Sequence, residues 1–252
     1  MAINQIEIDE QYVSSTAYHE AGHTVVAAAQ GMPMRNLGVH MDSLGCGKAF
    51  YWRRVPDGSR NNGGSDVERE RTAIATSAGF IAQKRFYSNA SDKVLRYMEL
   101  CAQSDTALVI DLLEEMYSGD RITWFAARAN LFAESVRQVD KHWNVIDSLA
   151  KSLLAREWEP HRAETDADGE WSGDNREKWL HGIEVVAMLK PLGVPAFIVD
   201  DSVRTYSPTL KPASSNNRGR CPFGGWTVYR SQLNGDAGPY LRPCFYVLVS
   251  DP

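Results

Sequence analysis

The chain has no uninterrupted run of about 18 apolar residues, the length a membrane-spanning helix needs. Its best attempt, 185–199, is broken by Lys190, Pro191 and Pro195, so no membrane span is expected. A basic excess is also missing. Lys and Arg number 27 against 32 Asp and Glu, for a net charge of −5 and a pI near 5.7. A dedicated nucleic-acid binder carries a basic patch or stripe, so nucleic acid is not an expected partner. Cysteine is scarce: Cys46, Cys101, Cys221 and Cys244 are widely spaced with no CxxC pair. That points to neither a disulfide framework nor a cysteine metal site; Cys221 and Cys244 could pair if the last strands are adjacent, but reduced thiols in a cytoplasmic setting are the expectation. Residues 1–7 lack the basic and apolar regions of a secretory signal. No GxxxxGK[ST] phosphate loop and no internal repeat occurs.

What is present is a chain of 252 residues, 43% hydrophobic, able to bury a substantial core. Hydroxyl N-caps at Ser14, Ser15 and Thr16 precede an apolar helical run that Gly31 and Pro33 stop. Two short strands are predicted at 37–41 and 48–52, with a Gly-Cys-Gly turn between them. Loop composition fills 56–66. Helical periodicity then dominates, with segments predicted at 67–87, 92–101, from Ser104 onward, 121–138 and 141–158, until Pro160. The acidic stretch 161–177 reads as a linker or exposed loop. Beyond it, 178–252 reads as an extension: a short helix at 179–189, then strands at 225–230 and 244–250. Its aromatics Trp226, Tyr229, Tyr240, Phe245 and Tyr246 suit the core of a small β-unit. The expected fold class is mainly α (α+β), a helical domain over 1–160 with a small β-hairpin.

Within the first predicted helix stands His19-Glu20-Ala21-Gly22-His23. HExxH on a helix is a zinc-binding pattern with a built-in general base. Histidines four apart leave one helix face about one turn apart, so two neutral nitrogens can close on one ion. Glu20, about 100° further round, sits beside the metal, where it can take a proton from a water that the metal acidifies. Gly22 has two readings: close helix–helix contact, or room for whatever approaches the metal. Catalytic zinc takes three protein ligands. The metzincin extension fails, because Val26 and Ala29 stand where its Gly and His belong. A downstream carboxylate is required, and Glu68, Glu70, Glu99, Asp105 and Asp111 all qualify. The other histidines, His40, His142, His161 and His181, read as surface or core residues, with His40 nearest in the predicted fold.

Residues 16–23, Thr-Ala-Tyr-His-Glu-Ala-Gly-His, resemble the zinc helix of the FtsH-type peptidases, the proteolytic domain of membrane-tethered AAA proteases. The likeness continues in order over roughly 12–160. Residues 33–39 and 47–52 resemble the family's strands, the second of which edges the active-site cleft. Residues 77–83 resemble its Gly-Gly-Arg-Ala-Ala-Glu helix, and 143–154 its closing helix. Ala102-Gln103-Ser104-Asp105 resembles the segment whose aspartate is the third zinc ligand, which implies Asp105 here. Two departures stand out. Gln83 replaces the family's usual Glu, removing a second carboxylate near the metal, and the ATPase has no counterpart.

The resemblance implies a zinc endopeptidase (Zn2+) working without an ATPase of its own. His19, His23 and Asp105 would be the ligands and Glu20 the general base. The strand around Ala49, Phe50 and Tyr51 would hold an extended protein or peptide substrate by strand addition. A homo-oligomer or a separate ATPase partner fits the same reading. The alternative is a non-catalytic zinc-binding regulatory protein that keeps the fold.

Overall fold

Helix α1 (Glu10–Ala29) runs through the core of the described residues. The computed structural model describes residues 10–43, 45–51, 65–117, 119–160 and 176–199. Ala17, Ala21, Val25, Val26, Ala27 and Ala28 are all buried, so α1 is covered around most of its circumference instead of carrying a single apolar stripe. It ends in a Schellman turn, where Met32 N–H reaches the Ala27 carbonyl and Gly31 N–H the Ala28 carbonyl.

The chain then forms β1 (Met34–Asp42) and β2 (Gly47–Tyr51), paired antiparallel with Val39 opposite Ala49 and Met41 opposite Gly47. Helix α2 (Asp66–Phe86) starts at Ser65, whose hydroxyl and the Glu68 side chain form a reciprocal capping box. It lies against α1 along small residues. A Cβ on Gly22 would fall 2.7 Å from both the Ala78 carbonyl oxygen and Ala82 Cβ. Of the two readings of Gly22, close helix–helix contact is therefore the one seen.

Helices α3 (Asp92–Cys101) and α4 (Gln103–Tyr117) meet at Ala102. Asp120 caps α5 (Arg121–Lys141) through the N–H groups of Ile122 and Thr123. Deep in the core, the Ser135 hydroxyl on α5 lies 2.8 Å from the Leu131 carbonyl of its own helix and 3.1 Å from the Ile74 carbonyl of α2. Helix α6 (Trp143–Leu154) buries Val145, Ile146, Leu149, Ala150 and Leu153. It is tied to α1 by the Tyr18 hydroxyl, which donates to Asp147 at 2.8 Å, while the Tyr18 ring stacks on Phe86 and Trp143.

The chain then adds β3 (Glu159–Pro160) and β4 (Arg176–Leu180), followed by α7 (Gly182–Leu189) and a single 3-10 turn. Strand β4 pairs antiparallel with β1, giving the order β2-β1-β4-β3 with β2 at one edge. The helix predicted at 179–189 is thus shorter than expected. Trp179 and Leu180 belong to β4, drawn into the sheet by pairing with His40 and Val39, a long-range contact that local periodicity does not report. For the same reason the helix predicted at 141–158 stops at Leu154, ahead of the β3 pairing. Residues 176–199 share the sheet and core of 10–160, with Val185, Leu189, Val194 and Ala196 buried beside the α1 residues. The mainly helical class with a small antiparallel sheet is as expected, with seven helices and four strands among the described residues. The strands predicted at 225–230 and 244–250, the C-terminal aromatics, His161 and most of the acidic stretch lie outside them.

Candidate metal centre

Helix α1 projects His19 and His23 from one face, and α4 brings Asp105 to meet them from its first turn. Asp105 Oδ2 lies 3.1 Å from His19 Nε2 and 3.2 Å from His23 Nε2, and the two Nε2 atoms are 2.9 Å apart. These residues could hold a metal ion, and they are the one such group among the described residues. Of the other candidate carboxylates, Glu68 is spent on the α2 cap, Glu70 faces the Tyr117 hydroxyl, and Glu99 and Asp111 are exposed. None belongs to the cluster.

The donor chemistry suits a cation. His23 Nδ1 is 2.9 Å from the Ala75 carbonyl oxygen, which can only accept, so the proton sits on Nδ1 and the Nε2 lone pair faces the cluster. His19 Nδ1 lies 3.1 Å from Gln83 Oε1, which orients its ring the same way. Two imidazole lone pairs and a carboxylate oxygen then converge with no donor among them. Such a triangle repels itself unless a positive charge lies between its atoms. Tetrahedral arms of about 2.0–2.1 Å separate donors by about 3.3 Å, and the triangle seen here lies within a few tenths of an ångström of that. Two nitrogens and one oxygen also suit a borderline divalent ion better than Ca2+ or Mg2+, which take oxygen ligands.

Close packing makes the arrangement possible. A Cβ on Gly79 of α2 would fall 2.3 Å from His23 Nε2 and 2.4 Å from its Cε1. Only a glycine lets α2 pass this near the ring. On the other side of Glu20, a Cβ on Gly47 of β2 would lie 2.6 Å from Glu20 Cγ and 2.9 Å from Oε1. The turn before β2 is held to α1 by Thr16, whose hydroxyl donates to the Gly45 carbonyl at 2.9 Å.

Glu20 is 5% exposed. Burial pushes its carboxyl up to about 7, with the nearby Asp105 charge acting in the same direction. The Lys48 ammonium and the Ala49 N–H, which donates to the carboxylate, partly oppose this.

The candidate substrate residues divide between two faces of β2. Gly47, Ala49 and Tyr51 alternate onto the side where Gly47 meets Glu20, and Lys48 and Phe50 leave from the other. Phe50 is buried there, with its ring 5.6 Å from His40. Ala49 and Tyr51 are half-buried. His40 belongs to that far face and not to the cluster: it stacks on Trp179 at 4.4 Å, and its Nδ1 is 3.9 Å from Glu177 Oε1.

Sequence reasoning missed the supporting groups. The Ala75 carbonyl carries no sequence signal at all. Gly79 and Gly47 could have been suspected only by knowing which ring or carboxylate each one faces. Gln83, read as removing a second carboxylate near the metal, offers an acceptor through its amide oxygen. Comparison of the chain with protein-family models and with curated protein sequences finds no match.

Proposed function

We propose that this chain is a zinc metallopeptidase of FtsH-like type, hydrolysing peptide bonds in unfolded or extended protein segments. What supports the reading most is the convergence of His19 Nε2, His23 Nε2 and Asp105 Oδ2 within 3.2 Å of one another, with Glu20 adjoining in the sequence. A divalent ion held by those atoms supplies a Lewis acid that polarises a carbonyl and acidifies water.

The chain's own residues do the rest. Glu20 takes a proton from the attacking water as the water oxygen bonds to the carbonyl carbon. It returns that proton to the amine nitrogen as the C–N bond breaks. The Ala49 N–H holds one side of the Glu20 carboxylate, so a strand backbone orients the base. Strand β2 is the sheet edge beside Glu20, where an extended segment can add by main-chain hydrogen bonds. None of these steps calls on a nucleotide.

Zinc analysis and cleavage of an unfolded casein-type substrate test the proposal. Wild type should bind zinc and cleave. Glu20→Gln should keep the zinc and lose cleavage by at least about 100-fold, the lower range for a general base. Asp105→Ala should lose the zinc. Full activity in Glu20→Gln removes Glu20 from the mechanism, and unchanged zinc in Asp105→Ala removes Asp105 from the ligand set. Bound zinc with no cleavage in wild type leaves the non-catalytic zinc-binding reading.

A further inference from the structure

The two histidines of the cluster have their ring protons placed by different means. His23 is held by the Ala75 carbonyl, which has no donor alternative. His19 faces Gln83, whose amide could present either its oxygen or its nitrogen. If the nitrogen faced His19, Nδ1 would have to accept and the proton would move to Nε2. It would then point into the triangle, as a donor to Asp105 or His23. That arrangement is a satisfied hydrogen-bond network with no vacancy for a cation. The orientation of one buried amide therefore decides whether the cluster is ready for metal.

Ser15 sets that orientation. Its side chain is fully buried one turn before His19 on α1. Its hydroxyl donates to the Tyr12 carbonyl at 2.6 Å. The hydroxyl has one proton, so toward Gln83, 3.0 Å away, its oxygen can only accept. Gln83 must then turn its NH2 to Ser15 and its Oε1 to His19. We infer that Ser15 and Gln83 are positioning residues for metal capture: the Ser15 hydroxyl, spent on the Tyr12 carbonyl, orients the Gln83 amide, which holds His19 as the Nδ1–H tautomer with its Nε2 lone pair free. The inference rests on the metal reading above, and concerns what this chain does in place of an acidic acceptor. A carboxylate needs no orienting, since both its oxygens accept. An amide does, and the buried serine supplies it.

The test uses the full chain, stripped of metal, with Zn2+ alone as the probe in competition with a chromophoric chelator. Outer partners of ligating histidines typically change metal affinity by about 10–100-fold. Ser15→Ala should weaken Zn2+ binding by at least about 10-fold. Gln83→Glu should bind at least as tightly as wild type. Ser15→Ala placed on Gln83→Glu should change affinity by less than about 2-fold, since a carboxylate presents an acceptor whichever way it turns. The double variant has the same packing loss at position 15, so a merely structural role for Ser15 would weaken both backgrounds alike.

A second readout needs no metal. Nitrogen-15 NMR of the metal-free chain should show His19 protonated on Nδ1 in wild type and partly on Nε2 in Ser15→Ala. Equal zinc affinity in wild type and Ser15→Ala overturns the inference, as does an Nε2–H His19 in wild type. Wild type that fails to bind zinc overturns the metal reading instead, and the tautomer measurement still decides the role of Ser15.

Discussion

The sheet has a buried histidine near a buried or half-buried carboxylate on each of its sides, and the two arrangements behave oppositely. Beside α1, both histidines of the cluster have their Nδ1 atoms turned to oxygen acceptors, so lone pairs converge on Asp105 within 3.2 Å. On the far face His40 is stacked on Trp179 and Phe50, and Glu177 Oε2 accepts from Trp179 Nε1 at 2.9 Å. The ring is wedged among aromatics there and 3.9 Å from the acid. Burial and residue type are nearly the same in both places. What separates a place where chemistry can occur from a piece of core is the direction of the lone pairs, and that is set by which neighbour takes the other ring nitrogen.

The strongest way to break the contrast is to remove the space that the cluster needs. Gly79→Ala puts a methyl where His23 Nε2 now lies only 2.3 Å away, so either α2 or the ring must move. Overpacking of this kind costs about 1–3 kcal/mol. Zinc affinity should fall by more than about 100-fold, beyond what an outer-partner change gives. Thermal melting and zinc competition read both effects, and wild-type zinc affinity in Gly79→Ala would mean that His23 is not a ligand in this geometry. The converse experiment is on the far face. Glu177→Ala takes away the carboxylate that accepts from the Trp179 N–H, which costs about 1–3 kcal/mol in a buried site. Zinc affinity should stay within about 2-fold of wild type, well below the effect of touching a ligand's partner. A matching loss of zinc would show that the two faces are one coupled unit.

Much of this contrast is legible in the sequence on one side and almost none on the other. The HExxH spacing places both imidazoles on one face by helix geometry alone, and that is how they stand. The helices α2 to α5 follow from apolar periodicity, while the Ser65 and Ser91 caps that start α2 and α3 emerge only in the structure. Asp105 is one of five candidate acids by the residues themselves, and only the family resemblance singles it out. Strand β4 is unreadable: Arg176–Leu180 carries three charges in five positions, and becomes a strand because β1 offers it an edge. The His40 stack depends on that pairing, so it is hidden for the same reason. Ser15 reads as a helix-start hydroxyl in the sequence, yet α1 begins at Glu10 and Ser15 stands inside it, and its connection to Gln83 spans 68 residues. Local signals describe elements well. Second partners come from tertiary contacts, which no spacing encodes.

A third carboxylate, Asp147 on α6, measures the purely structural end of the comparison. Burial acts to raise its carboxyl, but hydrogen bonds from Lys151 and Tyr18, with the Lys151 charge, outweigh it and hold it below the ordinary aspartate range. A depressed carboxyl contributes stability that is present above its unfolded pKa, near 3.9, and lost as pH falls through the lower folded value. Wild type should therefore lose part of its stability between about pH 5 and pH 2. Asp147→Asn, which cannot ionise, should flatten part of that slope. The effect should be smaller than those of Gly79→Ala and Glu177→Ala, because the Lys151 partner is largely exposed and such pairs contribute at most about 1 kcal/mol. Urea midpoints for both proteins at neutral and acid pH measure it, and parallel pH slopes would show that Tyr18 and Lys151 do not hold the charged form. Zinc affinity at neutral pH should be the same in both. That separates a carboxylate serving the α1–α6 contact from Asp105, whose two imidazole neighbours offer it lone pairs and no protons.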